Sequence, residues 1–314
     1  MDVQKIREKS ESFVKEASSV IVGKDEEIRL LLTALYSGGH VLIEDLPGTG
    51  KTMLARTVSA LLSGEMRRIQ FTPDLMPSDV TGLNIYNQKS GEFVLVKGPI
   101  FTDILLADEI NRATPRTQSA LLEAMQERQV TIDGKRLPLA DTFMVIATQN
   151  PVETTGTYPL PEAQLDRFTM KLSLGRLSEE DELKLIDRFM NDEPIARLEP
   201  VMSSETLAKI QKSVKGVHVH EACRRYVVKL ANATRESSGF KSGVSGRAVL
   251  ALVACAQSYA ALKGREFVTP DDIKYLAPFV WAHRLSGTGL KSESVKLLNN
   301  LIKGVEAPVE EWSR

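Results

Sequence analysis

The stretch Asp45-Leu-Pro-Gly-Thr-Gly-Lys-Thr52 constrains this chain more than any other, because of what stands on either side of it. HVLIE (40–44) precedes it, short and nearly all apolar, as a strand covered on both faces would be. KTMLARTVSALLS (51–63) follows, with apolar residues at helical spacing. A strand, a glycine-bearing turn and a helix in direct succession form a site for an anion. Glycines at 48 and 50 let backbone N–H groups turn inward, and the N-terminus of the helix faces the same space. In that setting Gly-Lys-Thr is the pattern that cradles nucleotide phosphates. Leu46, Pro47, Gly48, Thr49 and Gly50 form the loop, Lys51 reaches the β and γ phosphates, the Thr52 hydroxyl holds Mg2+, and the Met53 amide adds to the cradle. Asp45, counted with the expected nucleotide-binding residues, takes the first glycine position of G-x-x-x-x-G-K-[ST], a departure that leaves Pro47 to Thr52 intact.

Four further segments read as strands: 65–71, 102–108, 142–148 and 167–174. With helices between them, such as PRTQSALLEAMQERQ (115–129), they predict a parallel sheet with crossover helices. Ligands of such sheets bind at the carboxyl ends of the strands. There the run Ile104 to Ala107 delivers Asp108 and Glu109, the first suited to magnesium and the second to orienting and deprotonating a water. FMVIAT (143–148) ends in Gln149-Asn150, and an amide there can fix that water or a γ-phosphate. ATP or ADP with Mg2+ is therefore the expected cofactor set.

Two segments break the alternation as inserted hairpins, 84–98 around Lys89-Ser90-Gly91 and 129–138 around Asp133-Gly134. Beyond residue 174 the strand pattern stops, and helices are expected over 178–191, 203–215, 220–236, 245–263 and 269–284. The expected fold class is α/β: residues 1–174 form a core with a central parallel sheet, and residues 175–314 a small all-helical lid. The length of 314 residues suits about two domains. Lys plus Arg (40) nearly balances Asp plus Glu (41), which gives no global pull toward nucleic acid. The first twenty residues are charged throughout and no run approaches the roughly 18 apolar residues of a span. A cytoplasmic protein without membrane insertion is expected. Cys223 and Cys255 lack metal-site spacing and read as buried free thiols.

Longer blocks carry a resemblance. Asp108-Glu-Ile-Asn-Arg112, Gln118 to Val130, Ala147-Thr-Gln-Asn-Pro151, Pro161-Glu-Ala-Gln-Leu-Asp-Arg-Phe168 and Gln70 to Gly82 are similar to the MoxR group of AAA+ ATPases, over about Val20 to Leu285. The resemblance implies a P-loop AAA+ core with nucleotide held between the subunits of a homo-oligomeric, usually hexameric, ring. It makes Asn150 the first sensor, Arg167 an arginine finger for the neighbouring subunit and Arg247 the second sensor. It also places Val22 and Gly23 at the adenine pocket, and assigns no role to Arg112 or Arg116. A chaperone-like factor acting on client proteins follows, including metal-cofactor insertion and a partner bearing a von Willebrand factor A domain. A nucleic-acid motor of the same clade is the alternative, disfavoured by the mildly basic hairpin tip Asp133-Gly-Lys-Arg136. A small-molecule kinase fits less well, for no acceptor site is recognisable.

Overall fold

The structure is a computed structural model that describes residues 1–151, 156–190, 193–287 and 291–308. It opens on two helices that the sequence reading leaves unassigned. In α1 (Val3–Val20), Ile6, Phe13, Val14, Ala17 and Val20 line one buried face, and the Asp2 carboxylate caps the first turn by accepting from the Gln4 amide. In α2 (Asp25–Tyr36), Asp25, Glu26 and Glu27 oppose the positive helix end, and every residue from Leu30 to Tyr36 is buried.

The sheet-forming half then runs β1 (Val41–Glu44), α3 (Lys51–Leu61), β2 (Met66–Gln70), the short α4 (Pro77–Thr81) and a hairpin of β3 (Gly82–Asn87) with β4 (Glu92–Lys97). β5 (Ile104–Asp108) and α5 (Pro115–Glu127) follow, then a second hairpin of β6 (Gln129–Ile132) with β7 (Lys135–Pro138). β8 (Met144–Gln149), α6 (Glu162–Leu165) and β9 (Met170–Leu172) complete it. The central sheet has the order β2-β5-β8-β1-β9, and its strands pair in parallel. Alternation along each strand sorts the side chains. Val41, Ile43, Ile104, Leu106, Met144 and Ile146 face α1 to α3, while Leu42, Leu105, Ala107, Val145 and Ala147 face α5. Burial on both faces explains why these strands read as continuous apolar runs.

The remaining chain is helical: α7 (Glu179–Phe189), α8 (Ser204–Val214), α9 (Glu221–Glu236), α10 (Gly246–Leu262), α11 (Pro270–Trp281) and α12 (Lys291–Gly304), the last unanticipated. The apolar core on the α1–α3 face of the sheet continues without a break into these helices. The Gln211 amide donates to the Leu35 carbonyl at 2.8 Å, and Tyr275 donates to Glu26 at 2.8 Å. So α1 and α2, although first in sequence, pack with the last third of the chain. Both cysteines are free and buried, and burial pushes the Cys223 thiol up to about 11 and the Cys255 thiol up to about 12. Among the described residues no helix is long and apolar enough to cross a membrane.

Candidate nucleotide site

The loop between β1 and α3 lies at the carboxyl edge of the sheet. Gly48 and Gly50 have φ of 83° and 87°, the left-handed region that a side chain rarely tolerates. A Cβ built on either would meet nothing within 4 Å, so the space before the loop is open. Gly50 is the N-cap of α3 and no side chain caps that helix, which leaves its first amides directed at the opening. The Lys51 ammonium donates to the carbonyls of Asp45 (2.9 Å) and Leu46 (3.2 Å), curled over its own loop. Thr49 donates to Leu46, and half-buried Thr52 and Met53 begin α3. An open, cationic, amide-lined cradle fits a polyphosphate.

Asp45 corrects one expectation. Its carboxylate is turned away from the loop and buried: Ser173 Oγ (2.7 Å) and the amides of Leu174 (2.6 Å) and Gly175 (3.2 Å) donate to it. It belongs to the nucleotide loop through its main chain, while its side chain ties β1 to the strand end that leads into the lid.

At the end of β5, Asp108 and Glu109 are held by residues the sequence reading misses. The Thr148 hydroxyl donates to Asp108 Oδ1 at 2.6 Å and accepts from the Glu109 amide at 2.8 Å. Arg68 Nη2 donates to Asp108 Oδ2 at 2.7 Å, and Gln70 Nε2 to Glu109 Oε2 at 2.7 Å. Arg112 reaches the same Glu109 oxygen at 3.2 Å. Glu109 itself sits at φ 55°, a left-handed backbone for a residue with a side chain, at the turn where the strand stops. The parallel register brings Gln70 beside Asp108 across β2–β5, and the β5–β8 ladder carries Thr148 to the same edge. These partners are invisible until the strand order is known. Asn150 follows β8 and is buried.

The remaining candidates lie further out. Val22 is buried, and Gly23 (φ 67°) passes so close to α7 that a Cβ would come 2.5 Å from Asp181 Oδ2. That segment therefore lies where the lid begins. Arg247, in the first turn of α10, is 3.8 Å from Asp166 Oδ2. The half-buried Arg167 forms no side-chain hydrogen bond or ion pair among the described residues, and its Nε is buried without a partner. A separate cavity of about 770 Å³, lined by Leu42, Glu44, Asn150, Lys171, His283 and Val295, touches the site at Asn150 but includes no residue of the 45–53 loop.

Residues 40–170 match the family described as "ATPase family associated with various cellular activities (AAA)", and residues 232–298 match the AAA lid domain. The chain is 47% identical over 303 residues to the uncharacterized protein YeaC of Bacillus subtilis, covering 95% of this chain and 94% of that protein. It is 43% identical to Chaperone MoxR1 of Mycobacterium tuberculosis, over 88% of this chain and 75% of that one. Protein MoxR of Methylorubrum extorquens is 30% identical over 89% and 88% of the two chains. The crystal structure of a Cytophaga hutchinsonii protein, named there as a candidate ATPase only, superposes with a TM-score of 0.90 at 38% identity, covering 98% of this chain and 97% of that one. The chain belongs to the MoxR family of AAA+ ATPases.

Proposed function

We propose that this chain binds ATP with Mg2+ on the 45–53 loop and hydrolyses it. The observation that carries the reading is the open glycine backbone at 48 and 50, set before uncapped α3, with Lys51 above it and two carboxylates where β5 ends at the same edge. Val22 and Gly23 would hold the adenine side. Bound magnesium would neutralise charge on the β and γ phosphates, held by Thr52 and, directly or through its waters, by Asp108. Glu109 accepts the proton of the attacking water, Asn150 orients it, and Lys51 and Arg247 contact the phosphates from the same chain. Arg167 serves the site of the neighbouring copy in a hexameric ring, where a guanidinium with no partner among the described residues acquires its anion. The cycle drives remodelling or maturation of client proteins, since one relative is named a chaperone. A von Willebrand factor A domain protein is the proposed partner class, and metal-cofactor insertion the proposed outcome.

Two variants test the chemistry. Lys51→Ala removes the loop's cation, and affinity for a fluorescent ATP analogue is expected to fall by about two orders of magnitude. Glu109→Gln keeps the geometry and loses the base, so binding persists while turnover falls by about 10²–10⁴. Unchanged affinity in the first, or near-normal turnover in the second, would overturn the assignment.

A further inference from the structure

Arg167 itself has no side-chain partner among the described residues, yet its neighbours on both sides are held, Asp166 by its carboxylate and Phe168 by its carbonyl, and the holders come from the lid. Arg284, in the 3-10 turn 282–284 after α11, is buried. Its Nη2 donates to the Phe168 carbonyl at 2.7 Å, and its Nη1 lies 3.0 Å from Asp166 Oδ1, an ion pair aligned too poorly for a hydrogen bond. Ser245, the N-cap of α10, lies 3.2 Å from both Asp166 oxygens, and Ser286 donates to Glu162 four residues earlier. Arg247 approaches Asp166 Oδ2 as well. His283 Nε2 also lies 2.9 Å from the Phe168 carbonyl. The tautomer that donates there has no lone pair left for Arg284 Nε at 3.3 Å, so Arg284 holds on through its terminal nitrogens. A buried guanidinium persists only where such acceptors converge.

We propose that Arg284, acting with Asp166, is a positioning residue for Arg167: it clamps residues 166 and 168 to the lid and so aims the guanidinium of 167 outward, at the neighbouring copy's nucleotide. This rests on the reading of Arg167 as a finger acting in trans. It also means that the lid of one subunit, whose Arg247 is assigned to that subunit's own phosphates, sets the arginine offered to the next.

The test exploits direction. Lys51→Ala cannot use its own loop but presents an intact Arg167, and Arg167→Ala is the converse. Random mixing of equal amounts makes about one interface in four competent, so up to about a quarter of the wild-type ATPase rate returns in a closed ring. Arg284→Gln is then added to one partner at a time. Placed in the Lys51→Ala chain, which donates the finger, it is expected to lower the restored rate at least about tenfold, a fraction of the 10³–10⁵ such a finger supplies. Placed in the Arg167→Ala chain, it leaves the restored rate within about twofold. Asp166→Asn, nearer the surface, is expected to show the same asymmetry and carries the test should Arg284→Gln fail to fold. Equal loss in both placements, or loss in neither, overturns the proposal while leaving Arg167 in trans. If the two parents co-assemble by size measurement and restore nothing, the trans reading itself fails, and the proposal with it.

Discussion

Asp45 stands where the phosphate-loop pattern usually has glycine, and three donors on 173–175 engage its carboxylate. Asp45→Ala leaves the buried Leu174 amide without an acceptor and removes that of the exposed Gly175 amide. A stability loss of about 2–4 kcal/mol is expected from urea unfolding, with ATP affinity far less affected than in Lys51→Ala. An affinity loss as large as that of Lys51→Ala, at unchanged stability, would return the side chain to the nucleotide. Two histidines make a second prediction at this scale. His40 accepts from the Val145 amide through Nδ1 (3.0 Å), which leaves Nε2 to donate to the Met125 carbonyl (3.1 Å). Burial, and then Arg128, hold its pKa down at about 4; burial, and then Arg284, hold His283 at about 3. Both values are lowered, so the unfolded chain takes up protons below pH 6.5 that the folded chain refuses. Stability is full above pH 6.5 and is lost as pH falls toward 4, by about 2 kcal/mol per histidine at pH 5. Denaturant midpoints measured from pH 7 to 5 check this. His40→Gln should remove roughly half of the slope, and a flat profile in the parent protein would refute the assignment.

Elements were legible where one signal sufficed. The inner strands β1, β5 and β8 announce themselves as apolar runs between helical patterns, and Asp133-Gly134 marks its hairpin by turn chemistry alone. Thr269-Pro270-Asp271-Asp272 likewise marks the start of α11, where Thr269 and Asp272 cap each other's backbone amides. What sequence withholds is the partner from elsewhere. Arg265 forks onto both Asp272 oxygens at 2.8 and 2.6 Å, an arrangement that only the folded loop reveals. Asp272→Ala therefore removes a cap and strands a partly buried guanidinium. We expect a loss of about 3–5 kcal/mol in chemical unfolding, against about 1 kcal/mol for Thr269→Ala. Equal effects would show that the fork contributes nothing. The same limit hid Thr148, Arg68 and Gln70, whose meeting with Asp108 and Glu109 depends on a strand order that skips along the sequence. Helix α2 was missed for another reason: LLLTALY is apolar without a period, since the helix is buried all round.

For the whole molecule, an Arg167 side chain with no partner among the described residues predicts that hydrolysis is a property of the assembly. Specific ATPase activity should climb with protein concentration as rings form, and Arg167→Ala should stay low and flat across the same dilution series. A parent protein equally active per chain when monomeric would rule this out. The placement of α1 and α2 has a consequence for how the molecule is made. Their apolar faces are covered by α8 and α10, which the chain supplies more than two hundred residues later in the case of α10. At roughly 5–20 residues per second, the ribosome leaves those faces uncovered for about ten to fifty seconds. A nascent chain thus displays this apolar helix pair until α8 and α10 emerge, and their synthesis releases it from the risk of premature association.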